Sequence, residues 1–229
     1  MTKRYIEAHP SVVIAYSPEA EKLLFATYDK GYGKKTYRLS ANNIGGNPNP
    51  KDLSPLDTLK REIEEEFDPN HSELKYGEKV DWASKDDMIS VRKDLLDKIH
   101  LFNDFYVDCG EIPGGNDPYT AIYSGFYSKI LGNTIEIVKR NEKDNKHLST
   151  EGGLTRIFTL EALINHSRGE FSTAHATAPM VNKKFGSKIR YPKLLKYEII
   201  GLPRTSYADY ENDFTLDEKR AEAASEGKF

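Results

Sequence analysis

Residues 54–68 read SPLDTLKREIEEEFD, the pattern of a single helix with a marked start. Ser54 is a capping residue type and Pro55 suits the first helical position. Asp57 stands where a capping-box acid would reach back to the Ser54 amide. Leu56, Leu59, Ile63 and Phe67 recur at spacings of three, four and four, which makes one apolar stripe. At about 100° per residue, Glu62, Glu65 and Glu66 form a single arc beside that stripe, with Glu66 nearest the core edge and Glu65 nearest solvent. Like charges at these spacings destabilise a helix by a few tenths of a kcal/mol per pair. Arg61, four residues before Glu65, offsets part of this. A hard divalent cation would offset more, because Mg²⁺ and Mn²⁺ take carboxylate oxygens. A solvated acidic helix face is the plainer reading of the same residues.

Working outward, Gly45-Gly46 closes a strand-like run, and a polar loop over 47–53 leads into the cap. Strand, glycine pair, loop and a helix reading Arg-Glu-Ile-Glu-Glu-Glu together resemble the signature of the Nudix hydrolases. That pattern runs glycine, five residues, glutamate, seven residues, then R-E-U-x-E-E-x-G-U, with U apolar. Arg61, Glu62, Ile63, Glu65 and Glu66 match its second half residue for residue. The resemblance implies an α/β chain with a Nudix-type α/β/α sandwich and a mixed central sheet. It implies Glu62, Glu65 and Glu66 as ligands of Mg²⁺ or Mn²⁺, with Glu65 and Glu66 catalytic and Arg61 orienting the acids. The implied reaction is cleavage of the diphosphate bond in a nucleoside diphosphate linked to another moiety.

The first half departs from the pattern. Fourteen residues separate Gly46 from Arg61 where the family has thirteen, and Leu53 falls where the family has glutamate. Asp52 is one position off and would substitute if the loop bulges. Asp68 and Pro69 stand in place of the glycine that ends the helix and the apolar residue after it. The residue before a proline is pushed toward extended angles, so this helix is expected to end differently. These departures keep a second reading open, in which the same fold is a catalytically silent module that binds a nucleotide or a protein.

Composition bounds the rest. The chain has 229 residues, 38% hydrophobic and 30% charged, as expected for a soluble globular protein. No run approaches the ~18 apolar residues of a membrane span. The N-terminal stretch MTKRYIEAHP lacks the apolar core of a secretory signal. The single cysteine, Cys109, excludes an internal disulfide and suits a reducing cytoplasm. A formal net charge of −3 argues against bulk nucleic-acid binding. The expected partner is a nucleotide-type small molecule, with no membrane; a homodimer stays open.

Along the chain, residues 11–16 (SVVIAY) and 22–28 (KLLFATY) read as a hairpin, and 36–39 (TYRL) as a short strand leading to the glycine pair. Near that strand Arg38 is the candidate phosphate contact, and Gly45 and Gly46 are candidate binding positions. Residues 82–99 read as an amphipathic helix, treated as an insertion near 82–100. Residues 102–109 and 119–131 read as strands, 134–139 (TIEIVK) as a further strand and 140–150 as a polar loop. Residues 154–158 form the last short strand, and Thr159 caps a helix after it. The resemblance implies a metal-site acid or general base in the loop before that strand. Glu151 fits, with Glu142 and Asp144 as rivals. His175, Lys188 and Arg190 lie farther on, with no zinc-like spacing. The expected organisation is one domain over 1–204 and a polar tail over 205–229.

Overall fold

The computed structural model describes residues 3–28, 37–70, 80–109, 119–149, 153–166, 173–174, 176–191 and 195–216. Its centre is β2 (Ser11–Ser17), SVVIAYS, a β-branched run buried along nearly its whole length. β-Branched side chains that fill both faces suit an interior strand. β7 (Tyr119–Lys129) runs parallel to it, from Ser11↔Ser124 to Tyr16↔Lys129. The other edge of β2 is divided between two antiparallel partners. β3 (Lys22–Thr27) takes residues 15–17, and β5 (Ile44–Gly46) takes residues 11–13. β3 in turn pairs with β4 (Ala41–Asn42) and β8 (Arg156–Phe158). On the far side of β7 come β6 (Ile99–Cys109) and then β9 (Leu195–Gly201), completing a mixed eight-stranded sheet.

Alternation along β2 builds the layers. Val13 and Ala15 face a core closed by α1 (Pro55–Glu66), α2 (Lys85–Asp97) and α3 (Gly132–Lys143). Val12 and Ile14 face the opposite core, closed by α4 (Leu160–Ile164) and α5 (Thr177–Phe185). The α/β/α sandwich expected from the sequence is therefore present. A small third cluster joins Ile6, Ile122, Tyr210 and Phe214. It is formed where β1 (Arg4–Ile6) pairs in parallel with β10 (Phe214–Leu216), just after a 3-10 helix at Tyr207–Tyr210.

Three sequence expectations give way. Residues 134–139 lie within helix α3, not a strand, and the helix runs on to Lys143 through the start of the expected loop. The TIEIVK stretch alternates over a few residues, but the helix buries Thr134, Ile135, Ile137, Val138 and Asn141, one face at helical spacing. The N-terminus of α3 carries no side-chain cap of its own. Asp94, buried on α2, supplies one by accepting from the Leu131 amide at 2.7 Å and the Thr134 hydroxyl at 2.6 Å. Second, residues 37–39 form a turn rather than a strand. The Ser40 amide donates to the Tyr37 carbonyl at 3.0 Å, and Leu39 has φ 62°. Third, residues 205–216 of the expected tail are structured, as the 3-10 helix and β10. Among the described residues no helix is long and apolar enough to cross a membrane.

Candidate functional site

α1 begins as its sequence indicates. Ser54 Oγ accepts from the Asp57 amide at 3.2 Å and donates to the Asp57 carboxylate at 2.8 Å. The acid of the box thus meets the capping hydroxyl. Leu59, Ile63 and Phe67 are fully buried against the sheet, which fixes the rotation of the helix and hence where its acids point.

Glu66 turns inward and is 3% exposed. A buried carboxylate is costly unless hydrogen-bonded. Its Oε1 accepts from the Gly45 amide at 2.9 Å and its Oε2 from the Ser149 hydroxyl at 3.3 Å. Glu62 lies against Gly46, where a Cβ would stand 2.6 Å from the Glu62 carboxyl carbon. Gly45 has φ 128°, and a Cβ there would collide with the Ser11 carbonyl across the β2–β5 ladder. The glycine pair is therefore what lets β5 and α1 close on each other.

Arg61 is the hub of this face. Its guanidinium meets Glu62 at 2.8 Å, Glu65 at 2.7 Å, the Asn47 carbonyl at 2.7 Å and Asp52 at 3.1 Å. Arg61 Nε also donates to both Asp52 oxygens. Burial disfavours the Arg61 cation. Hydrogen bonds to Asp52 and the charges of Glu62 and Glu65 outweigh that and push its pKa above the ordinary arginine value. Burial likewise opposes the Asp52 anion, but Arg61, the Asn49 amide and Thr58 hold its pKa below the usual carboxylate value.

The loop before α1 decides which residue meets Arg61. Asn49 to Asp52 forms a tight turn, with the Asp52 amide on the Asn49 carbonyl at 3.0 Å and the Asn49 amide on Asp52 Oδ2 at 2.9 Å. This turn takes up the additional residue and brings Asp52, rather than Leu53, to Arg61. Leu53 is 75% exposed.

Asp52 is itself held. Thr58 donates to its Oδ2 at 2.9 Å, and the Tyr207 hydroxyl lies 2.7 Å from Thr58 Oγ1. The Tyr207 amide also donates to the Leu53 carbonyl at 3.0 Å. Thr58 and Tyr207 were not among the candidates from the sequence. Thr58 is one turn before Arg61 and could have been found by helical spacing, whereas Tyr207 is close only through the fold.

The remaining candidates are placed as follows. Arg38 sits, half-buried, in the turn before Ser40. Glu142, on α3, pairs with Arg156 at 3.3 Å, and Asp144 forms the C-cap of the same helix. Lys188 and Arg190 are exposed after α5. Glu151, His175, the loops 31–35 and 110–118, and residues 217–229 lie outside the described residues.

As the side chains lie, no group of three or more His, Cys, Asp or Glu among the described residues is set to hold a metal ion. The donor chemistry of the helix face suits a hard cation, since Glu62, Glu65 and Glu66 offer carboxylate oxygens on consecutive turns. A cation and the Arg61 guanidinium are two ways of meeting the same negative charge.

No family model matches the chain, and no curated protein matches it in sequence. Among solved structures it is similar to a MutT/nudix family protein from Enterococcus faecalis, with 16% identity and a TM-score of 0.32, over 57% of this chain. The chain spans only 39% of that protein's length. It is also similar to the E. coli ORF135 protein, with 14% identity and a TM-score of 0.36, over 80% of this chain and 91% of that one. At such overlaps neither likeness decides the chemistry. The fold rests on the strand order and layers described above.

Proposed function

We propose that the chain is a metal-dependent hydrolase that cleaves the diphosphate bond of a nucleoside diphosphate linked to another moiety. The observation that supports this reading most directly is the seating of α1 on the Gly45-Gly46 strand end. There Glu66 is tied to the Gly45 amide, Glu62 abuts Gly46, and Arg61 gathers Glu62 and Glu65.

In this reading Glu62, Glu65 and Glu66 would hold Mg²⁺ or Mn²⁺, which when bound supplies positive charge against the diphosphate oxygens. Arg61 keeps two acids in register, and Glu66, fixed from both oxygens, gives the face one rigid member. Arg38 contacts a substrate phosphate, and Glu151 accepts the proton of the attacking water. The substrate is a cytoplasmic nucleotide derivative.

The test is a nucleotide panel assayed with Mg²⁺ and with Mn²⁺, reading released phosphate and nucleotide products. Glu65→Gln combined with Glu66→Gln is expected to abolish turnover. Because Glu66 is buried, Glu65→Gln alone is assayed beside it, and a thermal melt establishes that each variant folds. Unchanged turnover in the double variant overturns the assignment.

One observation favours the second reading, a silent module that binds a nucleotide or protein. Arg61 already engages Glu62 and Glu65, and the described acids form no metal-holding group. That reading expects weak Mn²⁺ binding, no turnover and a melting temperature raised by a nucleotide.

A further inference from the structure

We propose that Tyr207 is a positioning residue for the acidic face of α1: it fixes Asp52 through Thr58, and through Asp52 the Arg61 guanidinium that holds Glu62 and Glu65. This deepens the reading of that face as the functional site and rests on it for its consequence.

The direction of the hydrogen bonds supports the assignment. Thr58 has one hydroxyl proton, and it donates that proton to Asp52 Oδ2 at 2.9 Å, since a carboxylate only accepts. The Tyr207 hydroxyl, 2.7 Å from Thr58 Oγ1, is then the donor to threonine. Burial and the neighbouring Asp52 charge both disfavour a phenolate at Tyr207 and push its pKa up to about 12, so the phenol keeps its proton at neutral pH. A polarised relay results, in which each bond strengthens the next. Its far end is Asp52, which receives Arg61 Nε on both oxygens at 3.2 and 3.1 Å.

The relay is also anchored at its near end. The Tyr207 amide is bonded to the Leu53 carbonyl at 3.0 Å, and the Tyr207 ring sits edge-on to the buried His9, 4.9 Å between centroids. Both hold the phenol in place independently of its hydroxyl. Removing the hydroxyl therefore leaves the ring packed and deletes the 2.7 Å bond to Thr58 together with a longer 3.5 Å contact to Ser11 Oγ. Thr58, deprived of its donor, is then free to reorient away from Asp52.

The experiment reads hydrogen exchange at Arg61 Nε–H by ¹⁵N-edited NMR, which reports the Asp52 bond without any substrate or metal. Tyr207→Phe is expected to speed that exchange by about tenfold, the worth of one hydrogen bond to a charged group. Thr58→Val is expected to do the same, and the Tyr207→Phe/Thr58→Val pair to add nothing to Thr58→Val alone, because both cut one chain. Thermal melts of all three variants establish that they fold. Unchanged exchange in Tyr207→Phe, or effects that multiply in the pair, overturn the proposal. Absence of turnover by the wild-type protein across the nucleotide panel would instead overturn the hydrolase reading, and the exchange result would stand apart from it.

Discussion

Asp52 and Leu53 show how one turn reassigns a role. Asp52 carries the contact to Arg61, while Leu53, in the pattern's glutamate position, faces solvent. Leu53→Glu is therefore expected to leave stability within about 0.5 kcal/mol of wild type in urea unfolding. Asp52→Ala is expected to cost about 2 kcal/mol, since it strips a charge-assisted hydrogen-bond partner from a half-buried arginine. The depressed Asp52 pKa gives that contribution a pH dependence: it is present at neutral pH and lost as pH falls through the folded-state value. The glycine pair separates in the same way. An alanine at 45 meets backbone at a positive φ, whereas at 46 its nearest neighbours are the carboxylate atoms of the Glu62 side chain. Gly45→Ala is expected to destabilise by about 3 kcal/mol or more, and Gly46→Ala by far less, with Glu62 displaced. The acids of α1 were legible because helical spacing alone places them. Asp52 could be named from the sequence only on condition that the loop bulges, because a turn's length cannot be read from composition.

Among the elements, α1 and α3 are the instructive pair. α1 announces itself with Ser54, Pro55 and a stripe, and the structure places its cap on Ser54. α3 has Leu131 at its N-cap and Gly132 as its first residue, neither of which signals a helix start. Its β-branched Thr134, Ile135, Ile137 and Val138 read locally as strand. The cap that overrides this comes from Asp94 on α2, which no local window contains. Asp94→Ala is accordingly expected to cost about 2 kcal/mol, the upper end for a lost cap, and to loosen α3 first. Hydrogen exchange along residues 132–143 checks this; slow, unchanged protection there would count against the capping role. Ser54→Ala should cost nearer 1 kcal/mol.

In the molecule as a whole, the sheet between two helical layers was expected from the resemblance carried by the glycine pair and α1, although α3, part of one layer, reads locally as strand. The seam near the chain ends could not be anticipated, because its residues touch only after folding. That seam encloses opposed titrations. Burial, reinforced by Arg204, lowers His9 to about 3. Burial raises Asp104 to about 6 against hydrogen bonds from Tyr210 and Ser124. Between pH 6 and 4 the unfolded chain holds a proton at His9 that the folded protein lacks, while the folded protein holds one at Asp104 that the unfolded chain largely lacks. The two effects oppose each other in that window. Asp104→Asn exposes the histidine's effect alone. Relative to wild type, the variant is expected to lose roughly 2–3 kcal/mol as pH falls from 6 to 4. His9→Gln is expected to shift in the opposite sense. Urea unfolding at stepped pH measures both.

The parallel pairing of Arg4 with Phe214 and of Ile6 with Leu216 has a temporal consequence. During translation β1 must wait for β10, which follows every strand of the central sheet in chain order. Tyr207 lies in the late-made stretch, so a nascent chain halted after α5 would carry its acids on a finished helix but lack the phenol that steadies them.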